Sequence, residues 1–427
     1  MTVAAPVHDQ LKRQMGLADA VVMGLGAMIG AGVFVAFGPA AQAAGSGLMV
    51  GLVLAAGVAY CNATSSARLA ALYPESGGTY VYGQRRLGEF WGYLAGWAFV
   101  VGKTASCAAI ALTVGSYAWP QHAHLVAVAA VAALTALNYF GVQKAIWATR
   151  GIVAFTLAVL ILVVVVCVVG APSSRPGLDI PGGWSVRGTL QAAGLLFFAF
   201  AGYARIATLG EEVRDPKITI PRAIPLALGI TLVVYVAVAA AALFVLGPAK
   251  LASSAAPLAD AIRVTDFGSL APIVRVGAAC AALGSLLALI LGVSRTSFAM
   301  ARDGHLPRRL AVVHPRYRVP YRTELILGAV VAILAATVDV RSAIGFSSFG
   351  VLTYYGIANA SASTLSTTEH RPWPPLPILG MLGCAVLAFS LPLSSILPGL
   401  VVLILGAAAY AITKRFASSR PPAPARQ

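Results

Sequence analysis

Apolar residues gather in runs of about 20 along the chain, separated by short polar stretches rich in Arg, Gly and Pro. At 1.5 Å per helical residue, about 20 residues match the roughly 30 Å hydrocarbon core of a bilayer. The runs predict about twelve membrane-spanning helices, near 17–44, 48–72, 90–118, 123–141, 149–170, 189–210, 223–246, 271–301, 324–339, 342–361, 375–391 and 393–413. The last two are joined tightly enough that eleven is the alternative count. A β-barrel is excluded, because its strands alternate over only about 10 residues. The first 16 residues are polar and lack an apolar run with a cleavage site, so no removable leader is expected. The tail from 414 to 427 ends in RPPAPARQ and reads as disordered.

Composition agrees with this all-α membrane reading. The 427 residues are 59% hydrophobic and 10% charged, against about 25% charged in a soluble protein. The net charge of +16 raises the question of nucleic acid, and its placement answers it. With the N-terminus inside, cytoplasmic segments hold 22 of the 30 Lys and Arg residues, whereas outer segments hold Arg175, Arg187, Lys250, Arg263, Arg275 and Arg341. That is the positive-inside bias, with both termini cytoplasmic. The charge sets topology and favours anionic headgroups, and it does not imply nucleic acid.

Five cysteines lie singly in apolar spans, and the six histidines are loop-borne without metal spacing. Neither set predicts a disulfide, metal or cofactor site. No nucleotide loop of the form GxxxxGK[ST] occurs, and no soluble stretch is long enough for an ATPase domain. These features exclude primary active transport and enzymatic catalysis.

The first span contains VVMGLGAMIGAGVFVAFG, with glycines at 24, 26, 30, 32 and 38. Each interior Gly costs a helix about 1 kcal/mol against Ala. An unwound backbone survives in a membrane only where it faces protein or a polar cavity. Close helix packing through Gly26-x-x-x-Gly30 is the competing explanation. The sixth span has a matching interruption at Gly202, followed by Tyr203 and Arg205. Each interrupted span opens a block of five, 17–170 and 189–361, and an odd number of spans gives the two blocks opposite topology. Paired interruptions in corresponding halves point to a transport site built on an inverted repeat, with the spans at 375–413 added after it. The helix restarting after Gly30 presents free N–H groups suited to a carboxylate. Carbonyls freed near Phe198–Gly202 suit an ammonium group. Together they fit an α-amino acid.

Four motifs then carry a specific resemblance. They are Gly26-Ala27-Met28-Ile29-Gly30-Ala31-Gly32, the sixth-span FFAFAGY…GEEVRDP from Phe197 to Pro216, YPESGGTYVYGQRRLG from Tyr73 to Gly88, and ARDGHLPRRLAVVHPRYRVP from Ala301 to Pro320. In this order they resemble the amino acid–polyamine–organocation (APC) permease superfamily, whose members have the leucine-transporter (LeuT) fold. The resemblance covers most of spans one to ten and implies an alternating-access permease with broken helices 1 and 6. It implies that N–H groups of Gly30, Ala31 and Gly32 bind the substrate carboxylate. It further implies that carbonyls of Phe198, Ala199 and Ala201 bind its amine. Phe198 falls where relatives place an aromatic gate, with ordinary packing as the alternative. Met28, Ile29, Gly202 and Tyr203 complete the expected pocket.

Charge inside the membrane refines the expectation. No carboxylate lies at mid-span, and Ala204 stands where relatives often carry an acid. A cationic substrate would want a buried anion, so a neutral amino acid is favoured. Lys103 lies near the centre of the third span, where a charge costs at least about 2.5–3.5 kcal/mol on insertion scales. Burial disfavours its charged form, which suits proton coupling. The alternative is a lysine bonded to unwound carbonyls in place of a cation. Some relatives couple protons through a fifth-span lysine, but Thr156 stands at that position here. Thr156, Ser285 and Ser294 are candidate sodium ligands, although hydroxyls in apolar spans more often bond their own helix. Arg205, Glu211, Glu212, Arg85 and Arg86 are candidates for a cytoplasmic gate, with topology anchoring as the alternative for Arg205.

The sequence thus predicts a secondary amino acid permease of the cytoplasmic membrane, with a proton the favoured coupling ion over sodium. Its expected partners are an amino acid and the lipid bilayer, and monomer or homodimer is left open. A cationic amino acid or amine exchanger on the same fold, and a non-transporting amino acid sensor, are the rivals.

Overall fold

A computed structural model describes residues 15–73, 77–141, 146–171, 185–207 and 213–418. The first span is three helical pieces, α1 (Leu17–Met28), α2 (Ala31–Val35) and α3 (Phe37–Ala44). α4 (Leu48–Leu72) returns, and a short helix outside the spans, α5 (Thr79–Leu87), leads into α6 (Glu89–Ala118). α7 (Ala123–Tyr139) and α8 (Ile146–Val169) finish the first half of the bundle. The sixth span is α9 (Val186–Phe200), a 3-10 turn over Ala201–Tyr203, and α10 (Ala204–Ala207). α11 (Pro216–Ser253) is followed by the small helix α12 (Pro257–Arg263) and by α13 (Ala271–Arg302). α14 (Tyr321–Thr337), α15 (Val340–Ser363), α16 (Pro375–Ser390) and α17 (Leu393–Ser418) complete the chain.

Every predicted span therefore falls on a helix or an interrupted helix. Eight helical stretches among the described residues are long and apolar enough to cross a bilayer by length and composition. The others are shorter or more polar: α9 and α15 are largely buried, whereas α14 and α16 expose apolar side chains such as Ile333 and Phe389. The predicted end of the seventh span at 246 coincides with a kink inside α11, where Gly247 takes φ 70°. Proline in the first turn of α11, α12, α13 and α16 fits a position where its missing N–H is not needed.

α6 lies at the centre of the bundle: 83% of its most apolar stretch is buried, against 17% for α17. It packs along both α13 and α15. Gly102 lets the backbones of α6 and α15 meet, since a Cβ there would lie 3.2 Å from Gly350 Cα. One turn on, Ser106 Oγ and Ser347 Oγ are 2.5 Å apart. Small residues and hydroxyls at a helix interface are how helices associate when lipid removes the hydrophobic driving force. Outward faces are apolar: Ile161, Val168, Val233, Ile404 and Leu405 are all exposed. This is a multi-pass membrane protein.

One end of the bundle collects the polar ties between helices. Arg150 at the start of α8 pairs with Asp19 at the start of α1. Lys414 in α17 reaches Glu89 at the start of α6 at 3.3 Å. Tyr80 in α5 donates to Asp303 Oδ2 at 2.7 Å, just after α13. The loops at this basic end carry most of the arginines.

Candidate functional site

The two interrupted spans meet at their breaks. α1 closes where Ile29 N–H donates to Leu25 O at 2.6 Å, Gly30 leaves the helix at φ −113° and ψ −135°, and α2 begins at Ala31. In the sixth span, α9 closes where Ala201 N–H donates to Phe197 O, and the backbone tightens to a 3-10 turn. Contact between the two depends on missing side chains. A Cβ on Gly32 would lie 2.7 Å from Ala199 Cα, and one on Gly202 would collide with Ala27 O and lie 2.7 Å from Met28 N. Gly30 and Gly202 lie at the interruptions, Gly32 lies within α2, and the lack of a side chain at all three admits close packing. All residues from Met28 to Gly38 are buried.

Breaking a helix frees carbonyls that lipid cannot satisfy, and each left unpaired would cost several kcal/mol. Side chains of the surrounding helices take them up. Tyr235 in α11 places its hydroxyl 2.6 Å from Met28 O and 3.1 Å from Ala199 O, so its one proton is shared between carbonyls of both breaks. Ala201 O accepts from Tyr355 in α15 at 3.2 Å and from Lys103 Nζ in α6 at 3.3 Å. Ser285 in α13 donates to Gly26 O at 3.4 Å. Four different helices thereby hold the breaks open in one conformation.

The candidates from the sequence that fall on described residues are placed as follows. Lys103 is buried, and among the described residues no carboxylate forms an ion pair with it. Phe198 is half-buried and packs against both large apolar clusters. Tyr203 stacks on Tyr355 with ring centroids 4.9 Å apart. Met28 and Ile29 are buried, and Met28 Sδ lies 3.8 Å from the Thr231 hydroxyl. Thr156 donates to Ile152 O at 2.7 Å within its own helix. Ser294 bonds Leu291 O at 3.1 Å and faces Glu324 Oε1 at 3.4 Å. Of these three hydroxyls, Ser285 reaches the first-span break.

Glu211 and Glu212 lie outside the described residues. Arg86 makes a fork with Glu369 in the loop after α15, at 2.8 and 3.2 Å, and also bonds Thr364 through Nε (2.9 Å) and Nη2. The Ser366 N–H and then Arg86 hold the Glu369 carboxyl below the usual carboxylate range. Arg85 and Arg205 have contacts of their own.

The far end of the bundle has polar ties of its own. Tyr117 at the end of α6 donates to Phe34 O in α2 at 2.8 Å and accepts from Leu258 N in α12 at 3.3 Å. Arg275 Nε donates to Tyr117 O at 2.7 Å, and Arg341 reaches Pro39 O at 3.3 Å. Tyr117, Tyr235 and Tyr355 escaped the sequence reading. An aromatic in an apolar run reads as packing, and the signal that could have found them is the hydroxyl each carries into a span.

Comparison with known proteins gives the family. The family model for amino acid permeases matches residues 15–416. The chain is 67% identical over 408 residues to an uncharacterized transporter of Mycobacterium tuberculosis, covering 96% of this chain and 93% of that one. It is 27% identical to the branched-chain amino acid permease BcaP of Bacillus subtilis, over 97% of this chain and 96% of the relative. It is 28% identical to human cationic amino acid transporter 4, over 86% of this chain and 62% of the relative. The family and its relatives are transporters, not enzymes. A bundle of interrupted spans whose breaks meet under a buried lysine is, in this chain, the framework of a member of the amino acid permease family, within the APC superfamily.

Proposed function

We propose that the protein is a secondary permease of the cytoplasmic membrane for a neutral α-amino acid, with both termini cytoplasmic and a LeuT-like inverted repeat. Substrate sits between the two breaks, its carboxylate on the N–H groups of Gly30, Ala31 and Gly32 and its amine near Phe198 O. Ala199 O and Ala201 O, whose donors are Tyr235, Tyr355 and Lys103, exchange those donors for the amine as the site fills. Alternating access follows from rocking α1, α2, α9 and α10 against a scaffold that includes α6 and α13.

The observation that carries this reading is the 3.3 Å bond from Lys103 Nζ to Ala201 O. It puts a protein cation at the sixth-span carbonyls without a counter-carboxylate. A cationic side chain in the same pocket would add a second positive charge with no anion beside it, which is unfavourable in a low dielectric. A lysine that exchanges a carbonyl for the substrate amine is also a group that can release a proton during the cycle. The branched-chain relative agrees with a neutral substrate. The cationic relative is equally similar in identity and supports the rival.

A thermal-shift screen of the purified protein against the twenty amino acids and common polyamines tests the substrate class, because a ligand that binds the folded state raises the apparent Tm. Stabilisation by small or apolar neutral amino acids is expected. Stabilisation only by arginine, lysine or polyamines overturns the neutral reading. Counterflow in proteoliposomes separates a transporter from a sensor, since it requires passage of label and no ion gradient.

A further inference from the structure

At the basic end, α7, α13 and the loop leading into α14 enclose a cleft of about 100 Å³, lined among others by Asn138, Leu291, Arg295, Tyr317, Arg318 and Pro320. No acid is among its described lining residues. Neither Arg295 nor Arg318 forms a salt bridge among the described residues. Glu324 is within electrostatic reach of Arg295, but it is fully buried in α14, with Oε1 toward Ser294. Two guanidinium groups therefore face a cleft that contains no anion of its own.

The cleft is built rather than incidental. Arg318 takes left-handed backbone, φ 56°, fixed by a closed turn in which His314 N–H donates to Val319 O at 2.8 Å and Arg318 N–H to His314 O at 3.0 Å. Tyr317 is braced by Phe140 at 5.5 Å and Tyr139 at 5.9 Å between ring centroids. Asn138 is buried, with Nδ2 3.4 Å from Leu287 O. Next to the cleft's elements, Leu137 in α7, Phe140 just after it, and Leu325 and Ile326 in the first turns of α14 are exposed. A basic cleft lined by Tyr317 thus lies among elements that expose apolar residues, a combination found where tyrosines mark the edge of a bilayer.

We propose that this cleft is a binding site for the phosphate of an anionic phospholipid headgroup, with the acyl chains along the exposed apolar strip. Arginine forks match phosphate oxygens in a way that a point charge does not. The adjoining apolar strip selects a lipid over a free anion, which would have no use for it. A bound lipid would tie α7 to α13 and to the loop into α14, and so would brace the part of the bundle behind the substrate site.

The test is lipid titration of the purified protein, following apparent Tm in phosphatidylcholine with increasing phosphatidylglycerol. Wild type should be stabilised by several degrees, and Arg295→Gln with Arg318→Gln should lower the apparent lipid affinity about tenfold. Arg308→Gln with Arg309→Gln removes the same charge from the neighbouring 3-10 turn and should leave affinity unchanged. Arg295→Lys with Arg318→Lys should give an intermediate loss, and its Tm in phosphatidylcholine alone checks that the fold is intact. Equal losses in the 295/318 and 308/309 glutamine pairs would overturn the site in favour of diffuse charge attraction. Equal stabilisation by millimolar inorganic phosphate would overturn the lipid assignment in favour of a free anion. No preference for phosphatidylglycerol would overturn both.

Discussion

Tyr117 donates to Phe34 O at 2.8 Å while its own oxygen accepts from Leu258 N. One hydroxyl thereby joins α6 to the restarted half of the first span and to the small helix α12. All three partners are buried. Removing the hydroxyl leaves a buried N–H unpaired, and a net hydrogen bond is worth about 0.5–1.5 kcal/mol. Tyr117→Phe should therefore shift the equilibrium toward opening at this end by roughly fivefold. Hydrogen exchange of peptides covering α12 and α2 measures it. Faster exchange confined to the Leu258 amide, with α2 unchanged, would mean that the bond is local and does not latch the two helices.

The contacts of Gly32 with Ala199 and of Gly202 with Ala27 predict a sharp contrast among glycines. A methyl at either position meets backbone, which cannot give way as the end of a side chain can. Overpacking of this kind costs about 1–3 kcal/mol. Gly32→Ala and Gly202→Ala should lower Tm and abolish counterflow. Gly229→Ala, in α11 with open space around it, should be neutral or stabilising by up to about 1 kcal/mol from helix propensity. Equal transport in all three variants would mean that the breaks need not touch.

Most of the helical framework was legible because a bilayer imposes a length, which eight helical stretches among the described residues meet. The breaks were legible because glycine is costly inside a helix unless the chain must approach something closely. Three kinds of feature were not legible. α5 and α12 lie outside the spans and are too short for either rule to mark them. Tyr117, Tyr235 and Tyr355 differ from packing rings only by a hydroxyl whose acceptor lies on another span. Arg86 forks with Glu369, in a loop far along the chain that no local pattern around Arg86 marks. Pairings between distant segments are a property of the packed bundle, not of local pattern.

That fork predicts a pH dependence whose sign follows from the carboxyl. Glu369 is held below the usual carboxylate range by Ser366 N–H and by Arg86. Its contribution to stability is thus complete above the ordinary carboxylate value and is lost as pH falls through the depressed one. Glu369→Gln should lower Tm only slightly at neutral pH, because solvent screens an ion pair at the protein surface. The difference from wild type should close on acidification, and a difference that persists at pH 3 would assign the loss to packing of the loop instead. Arg86→Ala should behave as Glu369→Gln does, with additional loss from the two bonds to Thr364.

Lys103 gives the prediction that separates structure from coupling. Its ammonium bonds Ala201 O, but Tyr355 bonds the same carbonyl, so the carbonyl is not orphaned when the lysine is removed. Lys103→Met keeps the volume of the side chain and removes a charge that costs at least about 2.5–3.5 kcal/mol to place in a membrane. Apparent Tm should accordingly hold or rise. If Lys103 carries the coupling proton, accumulation driven by a pH gradient is lost in this variant while exchange and substrate-induced stabilisation persist. If Lys103 instead shapes the pocket, stabilisation by substrate falls together with exchange. Thermal shift and counterflow on one preparation distinguish the two, and gradient-driven accumulation at the wild-type level would remove Lys103 from the mechanism altogether.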